Sequence, residues 1–553
     1  MTGKAPGLEA GRESHMAEKL TGKTGRRRNP IRESDAGEAT EGWTVAIYVW
    51  SLLVGCSPNG VDYAQGYRAG SLRKQPCPVR YVFAELPEMR DIRFYAGLGI
   101  RLEEMLSMYH TFLDQPALGL SVKLGDKLAD LQRSLGSTDV EYRDAEVRLW
   151  KDGRVSAVLL FDQEEPEALR MIHFFHQGKL IRTEHYTDHM AYVDYYVTAQ
   201  SERGLYAKKT RRAFCHGNGT VAYEQIFEGE RSWYLFPDGR ALTKSEFFAE
   251  FVKRLQLSKE DVVLIDRFAQ LDYVQPLFQE KGLARVIAVM HAGHYFEKGE
   301  SSYTVNFNQD YNYLFKYSGM LDAIVVSTWQ QKEDLEGKLG EYLCAIPDIV
   351  VIPAGGVDRL RYPDKERKKG SMLSASRIQL QKRVHWIIGS VIKAHEKNSD
   401  ISLDIYGEGV PEYRIALQEL IEAHHAQSYI RLMGHQDVRE LYRNYEVFLT
   451  ASTFETLGLS ILEAISSGLA VIGLEAKYGS RLLVHPGENG YLVKFEPASV
   501  NEDEEKLINS MAEKILEMFE EPQRLETFHQ NSYRMAEGFS MQAIADKWME
   551  VLQ

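Results

Sequence analysis

The spacing of apolar residues along this chain falls into two rhythms. Residues 44–49 form a short β-rich apolar run, followed by a loop holding Gly55 and Gly60 and then a helical pattern through Tyr63, Tyr67 and Ala69. Residues 79–83 read as a second strand and 102–112 as a helical segment, so the chain opens in alternating α/β style. Between about 118 and 240 the period turns to two. Val147 and Leu149 lead through Asp152-Gly153 into Val155, Ala157 and Leu159, the signature of a hairpin with a tight turn. Gln177-Gly178, Asn218-Gly219 and Glu228-Gly229 punctuate further runs of the same kind, including Val221, Tyr223, Gln225 and Phe227, and together they predict an antiparallel meander rich in aromatics. Its open edges suit docking of another subunit or of a polymer.

The α/β rhythm then resumes. Thr243 and Glu246 make a capping box before a helix with Phe247, Phe251 and Leu255, and residues 262–265 form a strand. Strands follow at 285–290, 323–327, 349–353, 371–375, 402–406, 447–451 and 469–473, mostly separated by helical patterns, which demands parallel sheets. There are too many strands for one mononucleotide-type domain. The alternation therefore divides into two halves near 345–365, around Pro353-Ala354-Gly355-Gly356, with a cleft between them as the expected site.

Composition narrows the choice of function. The chain has 553 residues and a net charge of −13, so a broad field for nucleic acid is excluded. Cys56, Cys77, Cys215 and Cys344 are far apart and match no zinc spacing, which fits a reducing compartment. No run reaches the roughly 18 apolar residues that span a bilayer, and the N-terminus has no apolar secretion signal, so a cytoplasmic protein is expected. Residues 1–42 are too polar to fold alone and read as a disordered leader; its Arg26-Arg27-Arg28 run leaves room for peripheral contact with the inner face of the membrane.

Two constellations carry the chemistry. In Phe454-Glu455-Thr456-Leu457-Gly458-Leu459-Ser460-Ile461-Leu462-Glu463, two glutamates stand eight apart across a loop-to-helix junction. Backbone N–H groups of Thr456, Leu457, Gly458 and Leu459 at a helix start suit a diphosphate, and the glutamates suit sugar and ribose hydroxyls. Arg377 and Lys382 follow the strand at 371–375, and fixed cations there would stabilise a departing diphosphate as its charge grows. Weaker signals are Gly409 in the Gly407-Glu408-Gly409 turn, where backbone can approach a ligand, Gly434-His435, and Gly60 in the first glycine loop. His291 and His294 follow a strand at its carboxyl end, where ligands collect. With no third ligand in sight they are read as sugar contacts and no metal site is expected, nor is there a clear Asp-X-Asp pair.

Arg377, Lys382, residues 404–409 and the Glu455/Glu463 pair, in that order, resemble the retaining glycosyltransferases of family 4 type. Gly60-Val61-Asp62-Tyr63-Ala64-Gln65 together with the meander is similar to the GtfA type, the catalytic subunits of accessory-Sec protein O-GlcNAc transferases. That resemblance implies a GT-B α/β fold: two Rossmann-like domains facing a cleft, with an antiparallel β-meander domain inserted in the first. The expected layout is a leader (1–42), a first Rossmann-like part (43–117), the meander (118–240), the second part (241–345), a nucleotide-sugar domain (346–525) and a crossing helix (526–553). It further implies UDP-GlcNAc as donor substrate without a cofactor, Ser/Thr hydroxyls of a serine-rich repeat protein as acceptor, and a related non-catalytic GtfB-type partner subunit. Arg377, Lys382 and Glu455 would then be catalytic, Glu463 would hold ribose, and His294, ahead of His291, would touch the sugar. Two rival readings are a teichoic acid transferase, which shares the meander, and a non-catalytic chaperone for the acceptor.

Overall fold

A computed structural model describes residues 46–552 apart from 52–59, 75–76, 116–117, 138, 203, 268–270, 302–303, 343–345 and 497–503. The expected leader, the loop with Gly55 and Cys56, and Cys344 lie outside the described residues. In the N-terminal half, seven parallel strands run in the order Asp348–Val351, Ala323–Val326, Arg285–Val289, Val262–Ile265, Ile47–Ser51, Val79–Phe83 and Met105–Ser107. Val262 to Ile265 are all buried, because helices cover both faces of such a sheet and its strands read as unbroken apolar runs. The strand order reverses at Ile47–Ser51, whose neighbours are Val262–Ile265 on one side and Val79–Phe83 on the other. Ligands collect outside the carboxyl ends of strands at such a reversal.

The C-terminal half repeats the plan with six parallel strands: Ile430–Gly434, Ser402–Tyr406, Ser371–Ala375, Val447–Leu449, Ala470–Leu474 and Gly490–Val493. Its reversal falls between Ser371–Ala375 and Val447–Leu449. The segments leaving those two strands carry Arg377 and Lys382 on one side and Glu455 on the other.

The inserted domain is a ten-stranded antiparallel meander in sequence order, from Asp139–Arg143 to Ala241–Thr243. Asp152 and Gly153 both have positive φ (51° and 71°), as do Gln177 and Gly178 (50° and 74°), which matches the right-handed twist of the strands they join. Aromatic rings seat the domain on the N-terminal half: Tyr234 stacks on Phe247 at 4.1 Å between centroids, and Tyr223 meets Phe112 edge-on at 5.7 Å. Phe247 lies in the helix Lys244–Leu255, capped as expected, with Thr243 Oγ1 accepting from the Glu246 N–H.

Several expectations shift. The helix expected at 102–112 is two short 3-10 turns around the strand Met105–Ser107, whose residues pair with Tyr81–Phe83. The meander region includes the helix Leu124–Leu135, with Leu124, Leu128, Leu131 and Leu135 packed on the sheet. The first half extends past 345, since Asp348–Val351 completes its sheet, and Ala241–Thr243 belongs to the meander rather than to the domain after it. Only Met541–Leu552 crosses back onto the first half; Pro522–Glu537 stays on the second, where Leu525 and Phe528 join its core.

Candidate active site

The C-terminal wall of the cleft is built by close backbone approach. After Ser371–Ala375 the chain passes through Arg377 and Ile378, and Ile378 forms a parallel bridge with Gly409. A Cβ at Gly407 would overlap the Ser376 carbonyl, and one at Gly409 the Ile378 carbonyl. The close approach expected at Gly409 is thus to protein backbone, and it fixes the segment that carries Arg377. Lys382 ends the turn Leu380–Lys382, and its Nζ donates to Glu455 Oε1 at 2.6 Å. Among the described residues no carboxylate pairs with Arg377, whose guanidinium therefore remains available to an anion.

The helix Leu459–Ser466 begins beside this pair. Its N-cap, Gly458, has φ +84° and offers no side chain, so the first-turn N–H groups at the positive end of the helix lack a side-chain cap. The helix start is fixed from behind. Glu455 N–H donates to the Lys477 carbonyl at 2.9 Å, and the Glu455 carbonyl accepts from the N–H groups of Tyr478 (2.7 Å) and Gly479 (2.8 Å). Gly479 lies flush against Leu457, where a Cβ would overlap the carbonyl.

The N-terminal wall meets this helix start directly. Thr456 Oγ1 donates to the His291 carbonyl at 2.8 Å, and the N–H groups of His291 and Ala292 both donate to the Tyr311 hydroxyl (3.0 and 2.9 Å). His291 Nε2 lies 2.7 Å from Asp266 Oδ1. Asp266 directly follows the strand Val262–Ile265 and is fully buried; it accepts from Arg68 through both guanidinium NH2 groups and from Gln65 Nε2 at 2.9 Å. Although burial opposes its charge, Arg68 and His291 hold this carboxyl well below the usual range. His294 is fully buried, has no hydrogen-bond partner on either ring nitrogen among the described residues, and is pushed down to about 4 chiefly by desolvation. It is neutral near pH 7. Next to it, Lys477 Nζ reaches across the cleft to Tyr295 Oη and Asp334 Oδ2, both at 3.0 Å.

Glu463 sits one turn into the helix and its two oxygens are already engaged. Oε1 accepts from the Tyr67 hydroxyl at 2.8 Å and Oε2 from Tyr442 at 3.2 Å. Burial raises the Glu463 carboxyl above its ordinary value, and the two phenols, with Arg439 and Arg361, oppose that rise. Gly60 opens the helix Gly60–Leu72 in an exposed position, and a Cβ there would meet nothing within 4 Å among the described residues.

The structure therefore brings Lys382, Glu455 and residues 456–459 together, joins His291 to them through Thr456, sets Glu463 one turn into the same helix, and carries Arg377 on the segment that leads to Lys382. Asp266, Tyr67, Tyr442 and Lys477 were not singled out from the sequence. A charged residue directly ending the apolar run 262–265 was a signal for Asp266; Tyr67 was counted only as an apolar helix position.

Comparison with known proteins bears on the family and the fold. Residues 369–519 match the model for glycosyl transferases group 1, and residues 139–238 match the GtfA extended beta-sheet domain. The UDP-N-acetylglucosamine–peptide N-acetylglucosaminyltransferase GtfA subunit of Streptococcus gordonii is 32% identical over 92% of this chain and 98% of its own. Among solved structures, the pneumococcal O-GlcNAc transferase GtfA in complex with UDP and GlcNAc superposes with a TM-score of 0.83 at 30% identity, covering 92% of this chain and 98% of that one. A GtfA/B complex gives 0.81 at 32% identity, covering 92% and 99%.

Proposed function

Because the chain belongs to the GtfA family of UDP-GlcNAc–peptide N-acetylglucosaminyltransferases, we propose that it transfers N-acetylglucosamine from UDP-GlcNAc to Ser/Thr hydroxyls of a serine-rich repeat protein, with retention at the anomeric carbon. The observation that carries this reading is the Lys382–Glu455 pair, at 2.6 Å, beside an uncapped helix start. A nucleoside diphosphate leaving group gains negative charge as the sugar bond breaks, so Arg377, Lys382 and the amides of residues 456–459 stabilise the transition state more than the bound donor. Glu455 orients the sugar. The acceptor hydroxyl attacks from the leaving-group face, its proton passes to the departing diphosphate oxygen, and no protein nucleophile is needed.

The two cations also supply the charge that a metal ion provides in other transferases. Activity should therefore persist in EDTA; loss of turnover restored by manganese would sink that assignment. A GtfB-type subunit is the partner, and the meander offers it a surface. Val197, Leu205 and Tyr206, exposed by 50%, 69% and 47%, stand near the tip of the hairpin formed by Met190–Ser201 and Gly204–Cys215. No helix among the described residues is long and apolar enough to cross a membrane. The cytoplasm is the compartment proposed for the reaction, because nucleotide sugars are made there.

The deciding experiment is mass spectrometry of a serine-rich peptide incubated with the protein and a panel of UDP-sugars, with and without a co-expressed partner. A mass gain of one N-acetylhexosamine per site from UDP-GlcNAc is expected. Modification of teichoic acid instead would transfer the assignment to a polyol-phosphate acceptor, and absence of UDP-sugar binding would leave a non-catalytic acceptor chaperone.

A further inference from the structure

The Glu463 carboxylate is shared between the two halves of the molecule. Tyr442 reaches it from a turn of its own half, whereas Tyr67 comes from the helix Gly60–Leu72 of the other half and donates to Oε1 at 2.8 Å. The Tyr67 ring is held by Gly355, which is wedged between it and Leu459: a Cβ there would overlap Leu459 and stand 3.3 Å from the ring. An ionised carboxylate has about four acceptor positions. The two phenols occupy two of them, which leaves two acceptor positions for the donors of a vicinal diol.

We propose that Tyr67 is a positioning residue of the donor site: contributed by the N-terminal half, it orients Glu463, so that the ribose-binding carboxylate is complete only when the two halves meet. This inference rests on the reading of Glu463 as the ribose ligand. Burial by itself drives Glu463 toward its neutral form, which would place a donor hydrogen where the ribose hydroxyls need an acceptor. The groups facing it are Tyr67 and Tyr63 from the first half and Tyr442, Arg439 and Arg361 from the second. The phenols Tyr67 and Tyr442 donate and the two arginines attract, so all four favour the charged form.

Calorimetric titration with UDP tests the proposal. Tyr67→Phe keeps the ring against Gly355 and removes only the hydroxyl. It should weaken UDP binding about tenfold, in line with the loss of one hydrogen bond to a charged group, and raise KM for UDP-GlcNAc more than it lowers kcat. Affinity should fall as pH drops through the Glu463 titration, and that fall should begin at higher pH in the variant than in the unmodified protein. A merely structural Tyr67 would lower thermal stability and leave that midpoint in place. In a Glu463→Gln background the Tyr67→Phe change should add nothing. Tyr67→Phe binding UDP within twofold of the unmodified protein, or weakening it equally in the Glu463→Gln background, would overturn the role of Tyr67. Unaltered UDP affinity in Glu463→Gln alone would instead remove the ribose reading on which it stands.

Discussion

Arg377 and Lys382 are held differently, and their variants should fail differently. Lys382 is locked to Glu455, whereas among the described residues Arg377 has no carboxylate partner. Arg377→Ala should lower transfer and donor hydrolysis by about 100-fold, the scale of one lost transition-state contact, with little change in melting temperature. Arg377→Lys should recover only part of that, since an ammonium cannot make the bidentate contact of a guanidinium. Lys382→Ala should cost a similar factor in rate and also some stability, because Glu455 loses its partner in a largely enclosed site. Either alanine variant with wild-type turnover, measured as UDP release, would refute the assignment. These cations and Glu455 were legible in the sequence because they follow apolar strands directly and are spaced for one site. Asp266 offered only the signal of a charge at the end of an apolar strand, and Tyr67 offered none: their roles lie in pairings with Arg68, 198 residues from Asp266, and with Glu463, 396 residues from Tyr67, which no local pattern displays.

At the scale of elements, the site depends on how tightly strands and loops can approach. Gly479→Ala sets a Cβ against the Leu457 carbonyl, and backbone on both sides cannot shift cheaply. The start of the helix Leu459–Ser466 should be displaced, with loss of UDP binding and a destabilisation of about 1–3 kcal/mol, read by titration and thermal melting. Gly70→Ala, in the helix Gly60–Leu72 with nothing among the described residues within 4 Å of its Cβ position, should instead leave binding unchanged and stabilise slightly. The same distinction governs what periodicity revealed. Parallel strands buried on both faces, such as Val262–Ile265, read as plain apolar runs, and Asp152-Gly153 announced its turn because few other residues accept positive φ there. Met105–Ser107 and Gly490–Val493 are too short to establish a period, and both become strands through the sheet edges they complete.

Across the whole molecule the chain passes between the halves twice, and the second crossing is as structural as the first. Val357 forms a parallel bridge with Ser540, and a Cβ at Gly356 would crowd Met541 and Phe539, so the two crossings lie against each other. The final helix, Met541–Leu552, then buries Ile544 and Trp548 in the core of the N-terminal half. A boundary sought only in a glycine-rich stretch finds the first crossing and misplaces the start of the second, because Pro522–Glu537 has the same amphipathic pattern but packs on the other core. Trp548 also lies 5.2 Å from the Arg68 guanidinium, which pairs with Asp266, which in turn holds His291 at the cleft. Trp548→Ala should therefore do more than leave a cavity worth about 3–5 kcal/mol. It should lower kcat at temperatures where the variant is still fully folded, because Arg68, and through it His291, loses the surface that fixes its position. Trp548→Phe, which keeps an aromatic face for Arg68, should retain most of the rate while still melting earlier. Melting curves and kcat measured on both variants check this coupling; a Trp548→Ala protein with unchanged kcat below its melting range would show that the last helix only holds the halves together.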